Sequence, residues 1–373
     1  MYIHQVTIII MTSLYFSPAY AHPKHQHTHN NTKVTSTNYS KQLKNHQDDE
    51  LRKQIVNLLL EKSYAQGDGE LLVQAEDLIR ASHNPLDIEN RLLQTRIAQA
   101  NHDFDEAEET LQHILKSNPK NSNAILQLAN IYRLQGKFSD SLALCHQLND
   151  KDVEWYQAGC VLQVDAMTSS FSDLKAKTDE ILQSTIRLSK NDKQWMGNIL
   201  LEIATRFNDQ NLAQKSIPLL SVNNLPNTLA KSNWYISQKQ YLSALNILKE
   251  YRYHDGALYR IILSKQKISD PSAQKDLNEL TQRVEKLLKD KDHIHLREQA
   301  QYLWIAKKYN EGLKIAEQNW DMQRESEDFE VYAALAIDGN SKNSAEKLLN
   351  WSKKTGYRHP IYIQKLKAVL NQL

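Results

Sequence analysis

Asp103-Phe104-Asp105-Glu106-Ala107 and Lys137-Phe138-Ser139-Asp140-Ser141 are two copies of one pattern, set 34 positions apart. The register holds on either side of them: His102 answers to Gly136 and Ala98 to Tyr132, and Asn118-Pro119 closes the first copy. Apolar residues recur at helical spacing before and after each aromatic, with a short break between, so the unit reads as helix, tight turn, helix. In the first unit helix A spans about 86–100 and helix B about 104–117, with Ala107 at the close crossing and Leu111, Ile114 and Leu115 behind it. In the second, Leu128, Ala129 and Tyr132 lie on helix A, Gly136 makes the turn, and Leu142, Cys145 and Leu148 lie on helix B. A lone helical hairpin leaves an apolar face open, so units of this kind stack, each covering the next.

The same layout extends outward in weaker copies. A third unit covers about 152–188, from Trp155 and Cys160 through Leu174 and Ile181. A fourth uses Ile199, Leu200, Ile203, Ala204, Ala213 and Ile217, and a fifth repeats the aromatic-to-alanine spacing with Tyr241 and Ala244. A sixth pairs 256–268 with 272–288, its second helix expected to start at Asp270-Pro271 with Asp as N-cap and Pro at the first helical position. A seventh runs through Tyr302, Trp304, Tyr309 and Gly312, and an eighth from Phe329 to Trp351 with Gly339 at its turn and Ala345 at the close crossing. The expected organisation is a helix pair at 49–85 capping the array, about eight repeats over 86–355, and a terminal helix within 356–373. Most aromatics fall at repeat-core spacing and read as packing.

Composition agrees with a long helical array. Of 373 residues 40% are apolar and 24% charged, with 9 Gly and 8 Pro, few breakers for helix nearly throughout. Forty-six Lys and Arg against 44 Asp and Glu leave no basic excess to drive nucleic-acid binding. Residues 1–21 carry an apolar run over 6–16 followed by Ala19-Tyr20-Ala21, which reads as a signal peptide with a cleavage site, too short to span a bilayer comfortably. Residues 22–48 are a polar His- and Asn-rich linker, disordered by composition. His22, His25, His27 and His29 lie within eight positions, and neutral imidazoles so placed can hold Zn²⁺, Cu²⁺ or Ni²⁺.

These repeats resemble the tetratricopeptide-repeat family, with the match strongest at 88–148 and 228–250. The resemblance implies an all-α solenoid of stacked helix-turn-helix repeats forming a right-handed superhelix, with a concave groove lined by the A helices. On that register Arg96, Gln99, Asn130, Arg133, Asn233, Arg297 and Gln301 face the groove, where they could grip an extended or helical peptide. Leu92 and Leu126 stand where a carboxylate clamp would need polar groups. The wider layout is similar to a group of exported bacterial tetratricopeptide-repeat proteins, through 91–96, Gly136-Lys137-Phe138, Cys145 with Cys160, 295–300, 319–325 and Asp328. Some of that group resemble proteins encoded beside a nickel/cobalt-permease-like membrane protein. This points to a periplasmic or secreted chain.

Cys145 and Cys160 are the only cysteines. The register puts them on adjacent, packed helices, so a structural disulfide is expected of an exported chain; the alternative is a pair of buried thiols. Arg297-Glu298 and Arg324-Glu325, near Trp320, are expected to pair across repeats seven and eight. His293 and His295, two positions apart, would point different ways on a helix. No zinc-protease, nucleophile-elbow or phosphate-loop motif is present. The reading is therefore a non-enzymatic scaffold that binds a protein or peptide in its groove. The rival is a metal-handling accessory whose His tract serves a membrane transporter.

Overall fold

The computed structural model describes residues 49–148, 154–185, 188–221 and 223–371. The signal segment, the His-rich linker and its four histidines lie outside the described residues. Among those described there are nineteen α-helices and no strand. They form nine consecutive hairpins: α1 (Asp49–Gln66) with α2 (Gly69–Arg80), α3 (Ile88–Ala100) with α4 (Phe104–Ser117), α5 (Ser122–Leu134) with α6 (Phe138–Cys145), α7 (Glu154–Thr168) with α8 (Phe171–Ser184), α9 (Lys190–Phe207) with α10 (Gln210–Ser216), α11 (Leu225–Ser237) with α12 (Tyr241–Leu248), α13 (Asp255–Lys267) with α14 (Ala273–Lys289), α15 (Leu296–Ile305) with α16 (Tyr309–Met322), and α17 (Ser326–Asp338) with α18 (Lys342–Thr355). A last helix, α19 (Tyr362–Asn371), covers the end of the stack.

The turn inside each hairpin is built the same way. Eight of the nine turns hold one left-handed residue, at Gly67, His102, Gly136, Asn208, Lys239, Ser269, Lys307 and Asn340. In each, the next N–H reaches back to the carbonyl five residues earlier, as from Asp103 to Ala98 and from Lys137 to Tyr132 at 2.8 Å. That is the Schellman closure of a helix C-terminus. Glycine is the easy occupant, yet six of the eight sites hold something else, each at about 1–2 kcal/mol of backbone strain. The α13–α14 turn also explains a difference from the sequence expectation. Asp270 accepts from the Ser272 N–H at 2.8 Å, so Pro271 belongs to the turn and α14 begins at Ala273.

The two helices of a hairpin are buried differently. B helices bury one stripe, such as Phe104, Ala107, Leu111 and Ile114 on α4, the spacing of an amphipathic surface helix. Their fourth residue is usually small: Ala107, Ser141, Ala213, Ala244, Gly312 and Ala345 are there. The A helices inside the stack are buried more completely than the B helices, although α1 at its end still exposes Leu51 and Leu58. Residues 95–100 of α3 and 296–303 of α15 are buried without a break, polar ones included.

That enclosure comes from how the stack winds. The turn of the first hairpin meets the segment leading into the seventh: Tyr253 Oη donates to the Gln66 carbonyl at 2.9 Å. The turn of the second holds His102 in the field of Asp292, His293, His295 and Arg297, which lead into the eighth. The third receives the ninth through the Arg324 N–H on the Leu134 carbonyl at 2.6 Å, and the fourth receives α19 through the Arg358 N–H on the Met167 carbonyl at 2.8 Å. Four contacts with one offset of six hairpins mean that the second superhelical turn rests directly on the first. Apolar side chains seal the seam, where Phe138, Val164 and Met167 share a cluster with Trp320, Phe329, Leu348 and Leu366.

Gly67 shows how tight the seam is. Its φ is +68°, and a Cβ there would lie 2.4 Å from Leu225 Cδ2 and 2.8 Å from His254 Cδ2. Gly67→Ala combines left-handed strain with overpacking and is expected to destabilise by about 2 kcal/mol, read from the urea midpoint.

Cys145 and Cys160 form a disulfide, with Cα atoms 5.6 Å apart and a sequence separation of 15. It ties the end of α6 to α7. A loop of that length is worth about 3 kcal/mol through the unfolded chain. Reduction, or Cys145→Ala with Cys160→Ala, is expected to lower stability by about that amount; an unchanged urea midpoint under reductant would refute it.

Candidate functional site on the superhelix axis

The A helices bring their polar residues to the axis, where these converge on the first turn of α17. That turn reads Glu325-Ser326-Glu327-Asp328. Glu325 and Asp328 close a capping box around the helix N-terminus, which favours negative charge.

Four arginines from four different A helices meet this turn. Arg297 of α15 donates to Asp328 from Nε at 2.6 Å and from Nη2 at 2.9 Å, and Nη2 also reaches Glu325 at 2.6 Å. Arg133 of α5 lies 3.4 Å from the other Glu325 oxygen. Arg260 of α13 binds Glu327 and donates to Asn233 Oδ1 at 2.7 Å, while Asn233 binds Glu327 as well. Arg206 of α9 donates to Ser326 Oγ at 2.5 Å and to the Arg358 carbonyl. Asn319 adds a bond to Asp328 at 2.7 Å.

Burial sets the charges of this cluster against water. It pushes the Glu325 carboxyl up to about 7, against the pull of Arg297 and Arg133. Burial also works against the charge on Arg297, but Asp328 and Glu325 outweigh it and hold the guanidinium well above its ordinary value. Glu327 is likewise desolvated, and Arg260 and Arg297 bring its carboxyl below the usual range. Glu202 of α9 goes the other way, raised by burial with Arg133 and Arg206 opposing. A cavity of about 50 Å³ remains beside them, lined by Arg133, Glu202, Thr205, Arg206, Asn233, Glu325, Ser326, Glu327 and Glu330. This is room for one or two waters among polar partners.

The residues expected to line an open groove are placed on the axis and turned toward other parts of the chain. Arg96, Gln99, Arg133, Arg297 and Gln301 are buried, none more than 6% exposed. Arg96 donates to Asn57 at 2.6 Å and Gln99 to Gln127 at 3.2 Å. Asn130 bonds Gln99 and Arg133. In this conformation the concave face holds the chain's own ninth hairpin. Of the ion pairs expected near Trp320, Arg297 with Glu325 forms; Arg324 instead donates to the Gln135 carbonyl at 3.0 Å. His295 bonds Asp292 at 2.9 Å, and no cluster of three metal-ligating side chains exists among the described residues. Sequence reading did not find Arg206, Arg260, Glu327 or Glu202. Arg206 sits near the end of its A helix, as Arg133 does, whereas Arg260 lies in the first half of its own, so no constant spacing marks them.

A stack of nine helix-turn-helix units, most with a small residue at the crossing, has the layout of a tetratricopeptide-repeat solenoid. The tetratricopeptide-repeat family model matches residues 98–158, the stretch that carries the 34-residue register. Among solved structures the chain is similar to the crystal structure of yeast Tom70, at 10% identity and a TM-score of 0.23, covering 90% of this chain and 96% of that one. No curated protein matches. Among the described residues no helix is long and apolar enough to cross a membrane.

Proposed function

We propose that the protein is an exported, non-enzymatic scaffold that binds a protein or peptide partner through its repeats. The observation that supports this best is the tetratricopeptide register itself, matched at 98–158, since stacked hairpins of this kind present extended surfaces for other chains. Partner contacts fall on the outer B-helix faces and the two ends of the stack, because the axis is filled by α17. A partner reaching Arg133 or Arg297 requires the two superhelical turns to part.

Crosslinking and mass spectrometry in intact cells tests the reading. It expects one reproducible partner, with crosslinks on exposed lysines of the B helices and ends. Absence of any partner enriched over an unrelated exported protein would overturn it. The second reading, metal handling for a membrane transporter, rests on His22, His25, His27 and His29 in the sequence. It expects divalent metal to co-purify with the exported protein and to be lost in the His25→Ala, His27→Ala, His29→Ala variant.

A further inference from the structure

The charges of this chain are unevenly placed. Residues 347–373 hold six Lys and Arg and no Asp or Glu, whereas the remainder holds 40 against 44. The basic stretch is the C-terminal end of the stack: the latter part of α18, the connecting segment and α19. Lys353, Lys354, Arg358, Lys365 and Lys367 are all exposed there. Lys347 is paired with Glu317 at 2.8 Å. Lys353, Lys354 and Lys367 make no ion pair among the described residues, and Lys365 lies over the Tyr362 ring at 5.7 Å. Two carboxylates that act on this end of the stack are bonded to other groups: Asp173, in the field of Arg358, bonds Ser170, and Glu330 faces His359 at 3.3 Å. Two large apolar side chains stand among these cations, Ile361 at 50% exposure and Leu370 at 36%.

We propose that this cap docks on an anionic lipid surface, with the lysines at the headgroups and Ile361 and Leu370 entering the interface. The chemistry of the cations favours lipid over an acidic protein segment. Recognition of fixed carboxylates draws on arginine, whose planar fork binds them two bonds at a time. Four of the five exposed cations here are lysines on flexible stems. Such point charges suit a mobile layer of headgroups, to which each adds attraction that salt screens. Lysine stems also lie along apolar surface while the ammonium reaches outward, which lets Ile361 and Leu370 share the same footprint.

Flotation of the exported protein with vesicles tests this. Vesicles of phosphatidylglycerol and phosphatidylcholine are expected to carry the protein up the gradient at low salt, pure phosphatidylcholine is not, and binding should fall steeply between 50 and roughly 300 mM salt. Lys353→Glu, Lys354→Glu, Lys365→Glu, Lys367→Glu together should weaken binding at least a hundredfold with an unchanged circular dichroism spectrum and melting curve. Ile361→Gln with Leu370→Gln, which keeps every charge, should weaken it several-fold. Equal binding by the quadruple variant, binding to pure phosphatidylcholine, or no binding at all would overturn the proposal. So would loss of a protein crosslink in the quadruple variant without any vesicle binding, which would assign the surface to an acidic protein.

Discussion

Arg297→Ala is expected to destabilise the protein by about 3–5 kcal/mol, because it leaves Asp328 and Glu325 buried without their principal counter-charge. The side chain is 3% exposed and makes three bonds to two carboxylates. Arg297→Lys keeps a positive charge but loses the fork that spans both partners, so most of the loss should persist. The urea midpoint of the oxidised protein checks both. A loss under about 1 kcal/mol would mean that water reaches the axis and that the cluster is not enclosed.

The second large effect is acid sensitivity. Burial, helped by Arg297, His295 and His293 and opposed by Asp292, lowers the His102 ring to about 3 from an ordinary 6.5, and neither ring nitrogen has a hydrogen-bond partner. The unfolded chain protonates His102 below about 6.5 while the folded chain does not until about 3. The stability due to the neutral ring is therefore complete above 6.5 and is lost as pH falls through that window. At about 1.4 kcal/mol per pH unit the full loss is on the order of 4–5 kcal/mol. Glu325 acts in the opposite sense: its folded value near 7 exceeds the unfolded one, so its contribution is present at low pH and fades as pH rises from about 4.5 to 7. The two partly offset each other there, and the steep loss is expected below about pH 4.5. His102→Asn, with a residue suited to a φ of 62°, should flatten the acid limb, and Glu325→Gln should remove the opposing slope. Parallel pH profiles for wild type and His102→Asn would refute the assignment.

Much of the scaffold was legible in the sequence because it is written locally. Phe104 with Phe138 and Ala107 with Ser141 fix the hairpins and their crossings. The repeat register placed Cys145 next to Cys160, and of the network expected between Arg297-Glu298 and Arg324-Glu325 on adjacent hairpins, the Arg297 to Glu325 pair is the part that forms. The closure of the axis was not legible. Arg96, Gln99 and Arg133 are polar residues on one side of a helix, and within one repeat nothing separates a face open to water from one covered by another part of the chain. What covers Arg133 is Glu325, 192 positions away. The turns were legible from helix spacing and not from their own residues: Gly136 marks its turn plainly, but His102, Lys239 and Lys307 adopt the same left-handed backbone without the residue that announces it.

In an ordinary solenoid each unit senses only its neighbours, so a chain can fray from one end while the rest holds. Here the linkers into the seventh, eighth and ninth hairpins and into α19 are pinned to the first four hairpins. Early and late residues must therefore meet before either is secure, which lengthens the search. Deleting α17 to α19 would strip the lining from hairpins far upstream, so melting should be a single all-or-none event with no partly frayed population.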